Sequence, residues 1–239
     1  MEQEKISDFY DNFVQKQLKI GANERLISLL KRLLKLGLNK NSRVLELGCG
    51  VGIFTGLLAK KIEKGFIEAV DLSEKSVETA RNNLKTKKNI HFQTADVVYY
   101  KPKQSDFDFI TLMDVIEHIP LTEHPKLFQN LADISTEKTK IIINIPNPDY
   151  TAFTKIHNPE TLQIIDQEVE ILPILQHLQN TGLEMIFFEK YSIWQKEDYH
   201  FMIIRKKRKF VLKTTASERN LIAKILNKIN KTVDKLRFS

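Results

Sequence analysis

Short apolar runs alternate with amphipathic stretches along most of the chain. Seven runs rich in β-branched and aromatic residues have the length and pattern of strands, and they lie at residues 43–47, 66–70, 90–95, 107–113, 140–145, 183–193 and 198–206. Amphipathic stretches predict helices at 23–36, 53–63, 74–86, 121–134 and 168–180. This alternation predicts an α/β fold, with a Rossmann-like, doubly wound, seven-stranded sheet that is mostly parallel.

The last two predicted strands are separated by only four residues, 194–197. So short a connection cannot hold a helical crossover, so one of the two strands must run antiparallel to its neighbour. The sheet is therefore predicted to have an antiparallel edge strand. Around it we predict three regions, which are an N-terminal helical cap (1–41), a central domain (42–206) with a proline-punctuated insert (146–167), and a basic amphipathic tail (207–239).

The net charge of +7 is concentrated at one end of the chain. Residues from Arg205 onward contain 12 Lys and Arg against two acids, so the preceding part is net negative. A general positive field therefore does not draw a ligand to the central domain. The single cysteine excludes an internal disulfide framework and a multi-cysteine metal site. We expect a cytoplasmic protein, because no apolar run reaches the length of a membrane span and the acidic start lacks a signal-peptide pattern.

A glycine-rich turn, VLELGCGVGIF, follows the first predicted strand. Gly48, Gly50 and Gly52 permit positive φ and let a ligand approach main-chain N–H groups, although a packing turn has the same composition. Asp71 lies 19 residues beyond Gly52, at the spacing of an acid that accepts ribose hydroxyls. Asp96 ends the third predicted strand, where a carboxylate can accept from an adenine amine. Helix caps or loop acids are the alternative for both.

Two residues near the turn distinguish between cofactors. Thr55 occupies the position of the third glycine in the G-x-G-x-x-G pattern of dinucleotide-binding turns. Glu46 precedes the turn, where a carboxylate repels phosphate but attracts an ammonium group. The ligand is therefore predicted to be a zwitterion that combines an amino acid with adenosine. A NAD-binding oxidoreductase is the alternative that these two residues disfavour.

Four motifs in order, ELGCGVG, VDLS, AD and FDFITLMDVIEHIP, resemble those of class I S-adenosylmethionine-dependent methyltransferases over residues 42–204. The resemblance implies S-adenosylmethionine (SAM) as cofactor and S-adenosylhomocysteine as product. It also implies a set of cofactor-binding residues, which are Glu46 for the methionine ammonium, Gly48, Cys49, Gly50 and Gly52 beneath methionine and ribose, Asp71 for the ribose, Leu72 and Val97 around adenine, Asp96 for its amine, and Met113 and Asp114 at the methionine end. Cys49 then needs no chemical role beyond being a small residue in the turn.

His118, just beyond the fourth predicted strand, is the candidate catalytic base, with a helix-capping or structural role as its alternative. That strand is not followed by the N/D-P-P-Y/F pattern of amino-methylating nucleic-acid enzymes, and the chain has no Pro-Cys nucleophile. We therefore expect O-methylation of a small-molecule, glycan or lipid-intermediate hydroxyl. Methylation of RNA guided by the basic tail is the alternative.

Asp114, Glu117 and His118 are spaced to converge if their segment is helical. Ubiquinone-type O-methyltransferases and small-RNA 2′-O-methyltransferases bind a divalent metal through a comparable cluster, and His157 is the candidate to complete it here. Asp114 is shorter than the glutamate of those families. We therefore assign no metal site and keep a divalent metal as an alternative.

The N-terminal helix and the insert are predicted to face the methyl acceptor, with candidate contacts from Phe9, Tyr10, Lys19, Tyr150, Phe153, His157 and Gln163. In the tail, residues 218–237 place apolar side chains on one side of a helix and lysines on the other. Three interpretations of this helix stay open: packing on its own domain or a second protomer, peripheral contact with an anionic membrane, and RNA binding. We expect a monomer or a homodimer.

Overall fold

The computed structural model describes Val14, residues 17–163 and residues 165–208. A helical segment at 17–20 precedes six α-helices, which are α1 Glu24–Lys35, α2 Ile53–Ala59, α3 Glu74–Asn83, α4 His124–Ile134, α5 Pro148–His157 and α6 Ile171–Thr181. The strands are β1 Arg43–Leu47, β2 Phe66–Asp71, β3 Ile90–Thr94, β4 Phe109–Met113, β5 Lys140–Pro146, β6 Leu183–Tyr191 and β7 Tyr199–Lys206. The described residues up to Lys207 form one compact unit. The predicted tail helix lies outside the described residues.

All seven strands form one sheet in the order β3-β2-β1-β4-β5-β7-β6. The first five strands of this order pair in parallel, whereas β7 pairs antiparallel with both β5 and β6. The predicted fold is therefore confirmed, and its antiparallel edge consists of the β7–β6 pair. Strand order reverses between β1 and β4, and ligands of open α/β sheets bind beyond the carboxyl ends of the strands at such a point.

Alternating side chains along β1 face opposite sides of the sheet, as the period of a strand requires. Leu45 lies in a core with Phe128 of α4 and Ile174 of α6. Val44 lies in a second core, which contains Leu33 of α1 and Leu58 of α2. The sheet is thus covered by helices on both faces, and its carboxyl-end edge supplies the loops that form the site.

Side-chain caps fix where several helices begin. Ser73 accepts a hydrogen bond from the N–H of Ser76 at 3.1 Å and starts α3, as its sequence predicts. Gly182 ends α6 in the left-handed conformation, also as predicted. The insert differs from expectation, because Asn147 caps a helix, α5, that begins with Pro148. Proline fits the first turn of a helix, so this proline starts regular structure within the insert.

Candidate active site

A cavity of about 430 Å³ lies beyond the carboxyl ends of β1, β2 and β4. Ten of the eleven predicted cofactor-binding residues line it, and so does His118. Gly52 is the exception. The remaining walls come from the N-terminal segment and α1, the insert and the β6–β7 loop, including Gln17, Arg25, Gln163 and Trp194.

The glycine turn uses positive φ at three positions, with φ of 80° at Gly48, 52° at Gly50 and 79° at Gly52. The Gly48 and Cys49 N–H groups both donate to the Val70 carbonyl, at 2.8 and 2.9 Å, which ties the turn to β2. A Cβ on Gly52 would lie only 2.8 Å from the Ala80 Cβ. Gly52 therefore allows α3 to pack closely, and its place beneath the cofactor stays a prediction.

Asp71 is oriented by main-chain donors from two directions. Its Oδ2 accepts from the Gly50 N–H at 2.7 Å, and its Oδ1 accepts from the Ser73 N–H at 3.0 Å. The Asp96 carboxylate is likewise oriented by the Val98 N–H at 2.9 Å. Both acids thus lie at strand ends beside the cavity, where the sequence predicts them.

Glu46 is buried, with 3 % of its surface exposed, and its Oε2 accepts from the Thr55 hydroxyl at 2.7 Å. Burial raises its pKa to about 8, with a further increase from the charge of Asp71, although the Thr55 hydrogen bond acts in the opposite direction. Thr55 therefore does more than replace a third glycine, because it anchors this carboxyl group. A cation placed beside Glu46 would favour the ionised form.

Cys49 is the turn's other titratable group, and its thiol is buried. Burial raises its pKa well above the usual range, and the charges of Asp71 and Glu46 raise it further. A thiol in this environment stays protonated, which agrees with its prediction as a small residue without a chemical role.

Asp114 follows β4 in a left-handed conformation, with φ of 56°. Its Oδ1 accepts from the Asn144 side-chain amide at 3.0 Å, and its Oδ2 forms an ion pair with Arg25 of α1. The Arg25 guanidinium also lies 3.4 Å from the Tyr199 hydroxyl. Its Nε is buried and has no hydrogen-bond partner among the described residues.

The condition for convergence of Asp114, Glu117 and His118 on one helical face is not met, because their segment is not an α-helix. The segment forms only a short 3-10 turn, Ile116–His118, and the left-handed Asp114 precedes it. His157 lies on exposed α5, where its ring contacts Phe153 with centroids 4.2 Å apart. Within the part of the chain that the structure describes, no three His, Cys, Asp or Glu residues are arranged to hold a metal ion.

The His118 ring is held on both sides by the insert. Its Nδ1 lies 2.6 Å from the Ile165 carbonyl, and its Nε2 lies 3.0 Å from the Gln163 amide nitrogen. A carbonyl oxygen can only accept, so Nδ1 carries the proton and Nε2 is the acceptor. Burial lowers the pKa of His118, and the Arg25 charge lowers it further, against the opposing effects of Asp166 and the Ile165 carbonyl. The ring is therefore neutral at physiological pH and able to take up a proton.

Glu117 lies deeper than its neighbour His118. Neither carboxyl oxygen has a hydrogen-bond partner among the described residues, and Oε1 lies 3.9 Å from His118 Nε2. Burial raises its pKa to about 8, Asp166 raises it further, and Arg25 opposes the shift. Glu117 is thus a predominantly neutral acid beneath the candidate base at pH 7.

Of the predicted acceptor-facing residues, Gln163 lines the cavity. Tyr150 and Phe153 stack on α5 with ring centroids 6.4 Å apart, outside the cavity wall, and Lys19 is exposed. Phe9 and Tyr10 lie outside the described residues.

The chain was also compared with known proteins. A family model described as a methyltransferase domain matches residues 15–200. The chain belongs to this methyltransferase domain family. The family assignment agrees with the motif resemblance and covers both the cavity and α1.

Curated relatives of this methyltransferase match over shorter stretches. The ubiquinone biosynthesis O-methyltransferase of Coxiella burnetii (strain Dugway 5J108-111) is 29 % identical over 115 residues, 48 % of this chain and 47 % of the relative. The malonyl-[acyl-carrier protein] O-methyltransferase 1 of Ilyobacter polytropus is 33 % identical over 101 residues, 42 % of this chain and 35 % of the relative. The chain thus spans about half or less of the length of these relatives.

A solved structure has the same fold at low sequence identity. The magnesium protoporphyrin IX methyltransferase of Synechocystis PCC 6803, crystallised with bound SAM, superposes with a TM-score of 0.59 at 20 % identity. The match covers 82 % of this chain and 85 % of that chain. The likeness supports the arrangement of the methyltransferase sheet and its helices.

Sequence reasoning missed several residues at the methyltransferase site, notably Arg25, Gln17, Trp194 and Asp166. Arg25 belongs to an amphipathic helix whose polar positions look alike in sequence, and its role depends on how α1 docks. Asp166 lies at the end of the insert, and only the fold brings it to His118. The proline-bounded insert was the available signal for Asp166.

Proposed function

We propose that this chain is a SAM-dependent methyltransferase that transfers a methyl group to a hydroxyl of a small molecule, a glycan or a lipid intermediate. The observation that carries the proposal is the buried Glu46 beside a turn whose Gly50 N–H orients Asp71. These groups present carboxyl groups to two of the parts of SAM that donate hydrogen bonds, its ammonium and its ribose.

Three features of the cavity fit SAM. Glu46, whose pKa is raised to about 8, gains a favourable partner when an ammonium lies beside it. Asp71, fixed by the N–H groups of Gly50 and Ser73, places a carboxylate at the cavity wall, and a carboxylate is an acceptor suited to ribose hydroxyls. The unpartnered Nε of Arg25 is a donor suited to the methionine carboxylate.

The other predicted contacts keep the same roles in this proposal. Leu72 and Val97 enclose adenine, Asp96 accepts from its amine, and Met113 and Asp114 line the methionine end, as the cavity walls permit. Gly48, Cys49 and Gly50 form the floor of the turn. When bound, SAM supplies a methyl group on a positively charged sulfur, and transfer leaves the C–S electron pair on sulfur as a neutral thioether.

His118 acts as general base in this proposal. Its Nε2 carries a lone pair, its ring lines the cavity, and its buried environment keeps it neutral. The acceptor hydroxyl gives its proton to Nε2 while its oxygen takes the methyl group. The two curated relatives described above are named O-methyltransferases, which supports oxygen as the acceptor atom.

The alternative acceptor and cofactor gain no support from the cavity. Asp71 and Asp96 place two carboxylates on its wall, and these oppose a pyrophosphate or an RNA phosphate there. No helix among the described residues is long and apolar enough to cross a membrane. Four expectations from the sequence stay predictions. They are a cytoplasmic location, a peripheral membrane contact by the tail, the predicted region boundaries, and a monomeric or homodimeric state.

The test is methyl transfer from labelled SAM to fractionated cell extract by the full chain. The proposal predicts a labelled product that withstands mild alkali, as a methyl ether does. A product that releases labelled methanol under alkali would assign a carboxylate acceptor. Label only in RNA would overturn the proposed acceptor class, and no transfer to any fraction would oppose the activity itself.

A further inference from the structure

The loop at the end of the insert supplies a carboxylate to the candidate base. Asp166 Oδ1 lies 3.4 Å from His118 Nδ1, while its Oδ2 accepts from the Gln163 N–H at 2.7 Å. The side chains of Asp166 and His118 are both 12 % exposed. The carboxylate is therefore fixed by the main chain on one side and lies against the imidazole on the other.

This loop has a separate attachment to the segment that carries His118. The Gln167 side-chain amide donates to the Ile119 carbonyl at 2.6 Å, and the Gln167 N–H donates to the Glu117 carbonyl at 3.1 Å. The Leu121 N–H in turn donates to Gln167 Oε1 at 3.3 Å. The loop is therefore attached to this segment by contacts that do not involve Asp166.

Titratable and charged groups face His118 from three elements. Glu117 belongs to its own 3-10 turn, Arg25 comes from α1, and Asp166 comes from the insert loop. Glu117 lies toward Nε2, whereas Asp166 lies toward Nδ1, on the ring edge that also contacts the Ile165 carbonyl. Asp166 is therefore the acid placed to compensate charge at Nδ1 without competing for the proton-accepting Nε2.

We propose that Asp166 is a positioning residue of the base: the Ile165 carbonyl accepts the Nδ1 proton of His118, and the Asp166 carboxylate beside it compensates the positive charge that the ring gains when Nε2 takes up a proton. This inference rests on the proposed function for its catalytic meaning. The acceptor hydroxyl replaces the Gln163 amide at Nε2 and gives its proton to that nitrogen as its oxygen takes the methyl group. Asp166 then stabilises the imidazolium, and the proton passes to water after product release.

The direct test is an NMR titration of the full chain with labelled histidine, in which His118 is assigned by its loss in His118→Gln. Asp166→Asn keeps an oxygen that can accept from Gln163 but removes the charge. The expected result is a lower His118 titration midpoint in this variant than in the wild type. The control is Glu168→Gln, which removes an exposed acid two residues away and leaves the midpoint unchanged.

Asp166→Glu separates charge from loop geometry, because it keeps the carboxylate. We expect its midpoint to lie near the wild-type value and above that of Asp166→Asn. Equal midpoints in the wild type and Asp166→Asn, or an equal fall in Asp166→Glu, would overturn the proposal. Neither donor nor acceptor is needed, so this result is independent of whether the proposed methyl transfer is correct.

With the acceptor from the extract screen in hand, kinetics give a second test. Asp166→Asn is expected to lower kcat by about tenfold or more, leave the KM for SAM unchanged, and move the acid limb of the kcat profile to lower pH. A fall in kcat with an unmoved acid limb would assign Asp166 a merely structural role and contradict the proposal.

Discussion

Arg25 of α1 forms an ion pair with Asp114 at the end of β4, and the two side chains are only 17 % and 16 % exposed. The Asn144 side chain holds the other oxygen of Asp114 and itself accepts from the Tyr191 hydroxyl at 2.7 Å. The first turn of α1 is thus tied to the edge of the sheet where the strand order reverses, between β1 and β4. This contact closes the methionine end of the proposed donor site.

Removal of Arg25 tests how much its ion pair with Asp114 contributes to stability. Because Arg25→Ala leaves a largely buried carboxylate without its cation, we expect the free energy of unfolding to fall by about 2 kcal/mol. Chemical denaturation measures this change. Lys101→Ala, which breaks an exposed pair with Asp133, is the control and should cost less than about 1 kcal/mol. Similar losses in the two variants would show that the Arg25 pair is no more than a surface contact.

Glu46 predicts a pH dependence of ligand affinity. Its pKa of about 8 means that the carboxyl is mostly protonated below that pH, whereas an ammonium ligand favours the carboxylate. Affinity for S-adenosylhomocysteine should therefore rise between pH 6 and pH 8, by at most about tenfold per pH unit. Calorimetric titration at several pH values measures it. Glu46→Gln should bind more weakly and lose most of the pH dependence, and a flat wild-type profile would argue against the ammonium contact.

Two glycines with similar φ allow the stability cost of a left-handed conformation to be compared with the added cost of a packing clash. Gly52 and Gly182 have φ of 79° and 71°, but only at Gly52 would a Cβ meet a neighbour, Ala80. Gly182→Ala should cost about 1 kcal/mol from the left-handed conformation. Gly52→Ala should cost a further 1 kcal/mol or more, roughly, from overpacking against α3. Thermal and chemical unfolding compare them, and equal losses would remove the packing role of Gly52.

Because of His200 on β7, we expect the folded chain to lose stability in acid. The ring is buried, its nitrogens have no hydrogen-bond partner among the described residues, and burial lowers its pKa to about 4. The unfolded chain takes up a proton near pH 6.5 while the folded chain does not, so stability is lost as the pH falls from 6.5 toward 4.

His200→Leu should remove this dependence. Between pH 7 and pH 5 the wild type is expected to lose about 1–2 kcal/mol more than the variant. His157→Leu, at an exposed position, serves as the control and should follow the wild-type pH curve. Parallel pH curves for the wild type and His200→Leu would exclude His200 as a source of acid sensitivity.

The fold was predictable because its signals are local. Apolar runs of strand length, the Ser73 cap and the Gly182 terminator act over a few residues, and the short β6–β7 connection requires an antiparallel pair. Asp71 and Asp96 were predictable for a related reason, since the carboxyl ends of parallel strands meet at one edge. The helix α5 was missed because Pro148 also occurs at the first position of a helix, where it promotes regular structure.

The walls of the site depend on docking between distant segments. Arg25 reaches Asp114 across 89 positions of sequence, and Asp166 reaches His118 across 48, so no periodic pattern marks either pair. Asp114, Glu117 and His118 would share one face, as a metal site needs, only if their segment were an α-helix. The chain instead makes a 3-10 turn after a left-handed Asp114. The packing of Gly52 against α3 was not predictable, because a glycine that touches a helix and one that touches a ligand look the same in sequence.

Calorimetric titration of the full chain with S-adenosylhomocysteine and, separately, with NAD tests the proposed donor site most directly. We expect one S-adenosylhomocysteine to bind per chain with a Kd in the micromolar range or tighter, no detectable NAD binding, and severe loss of affinity in Asp71→Ala. Binding of NAD without binding of S-adenosylhomocysteine would contradict the proposed donor site.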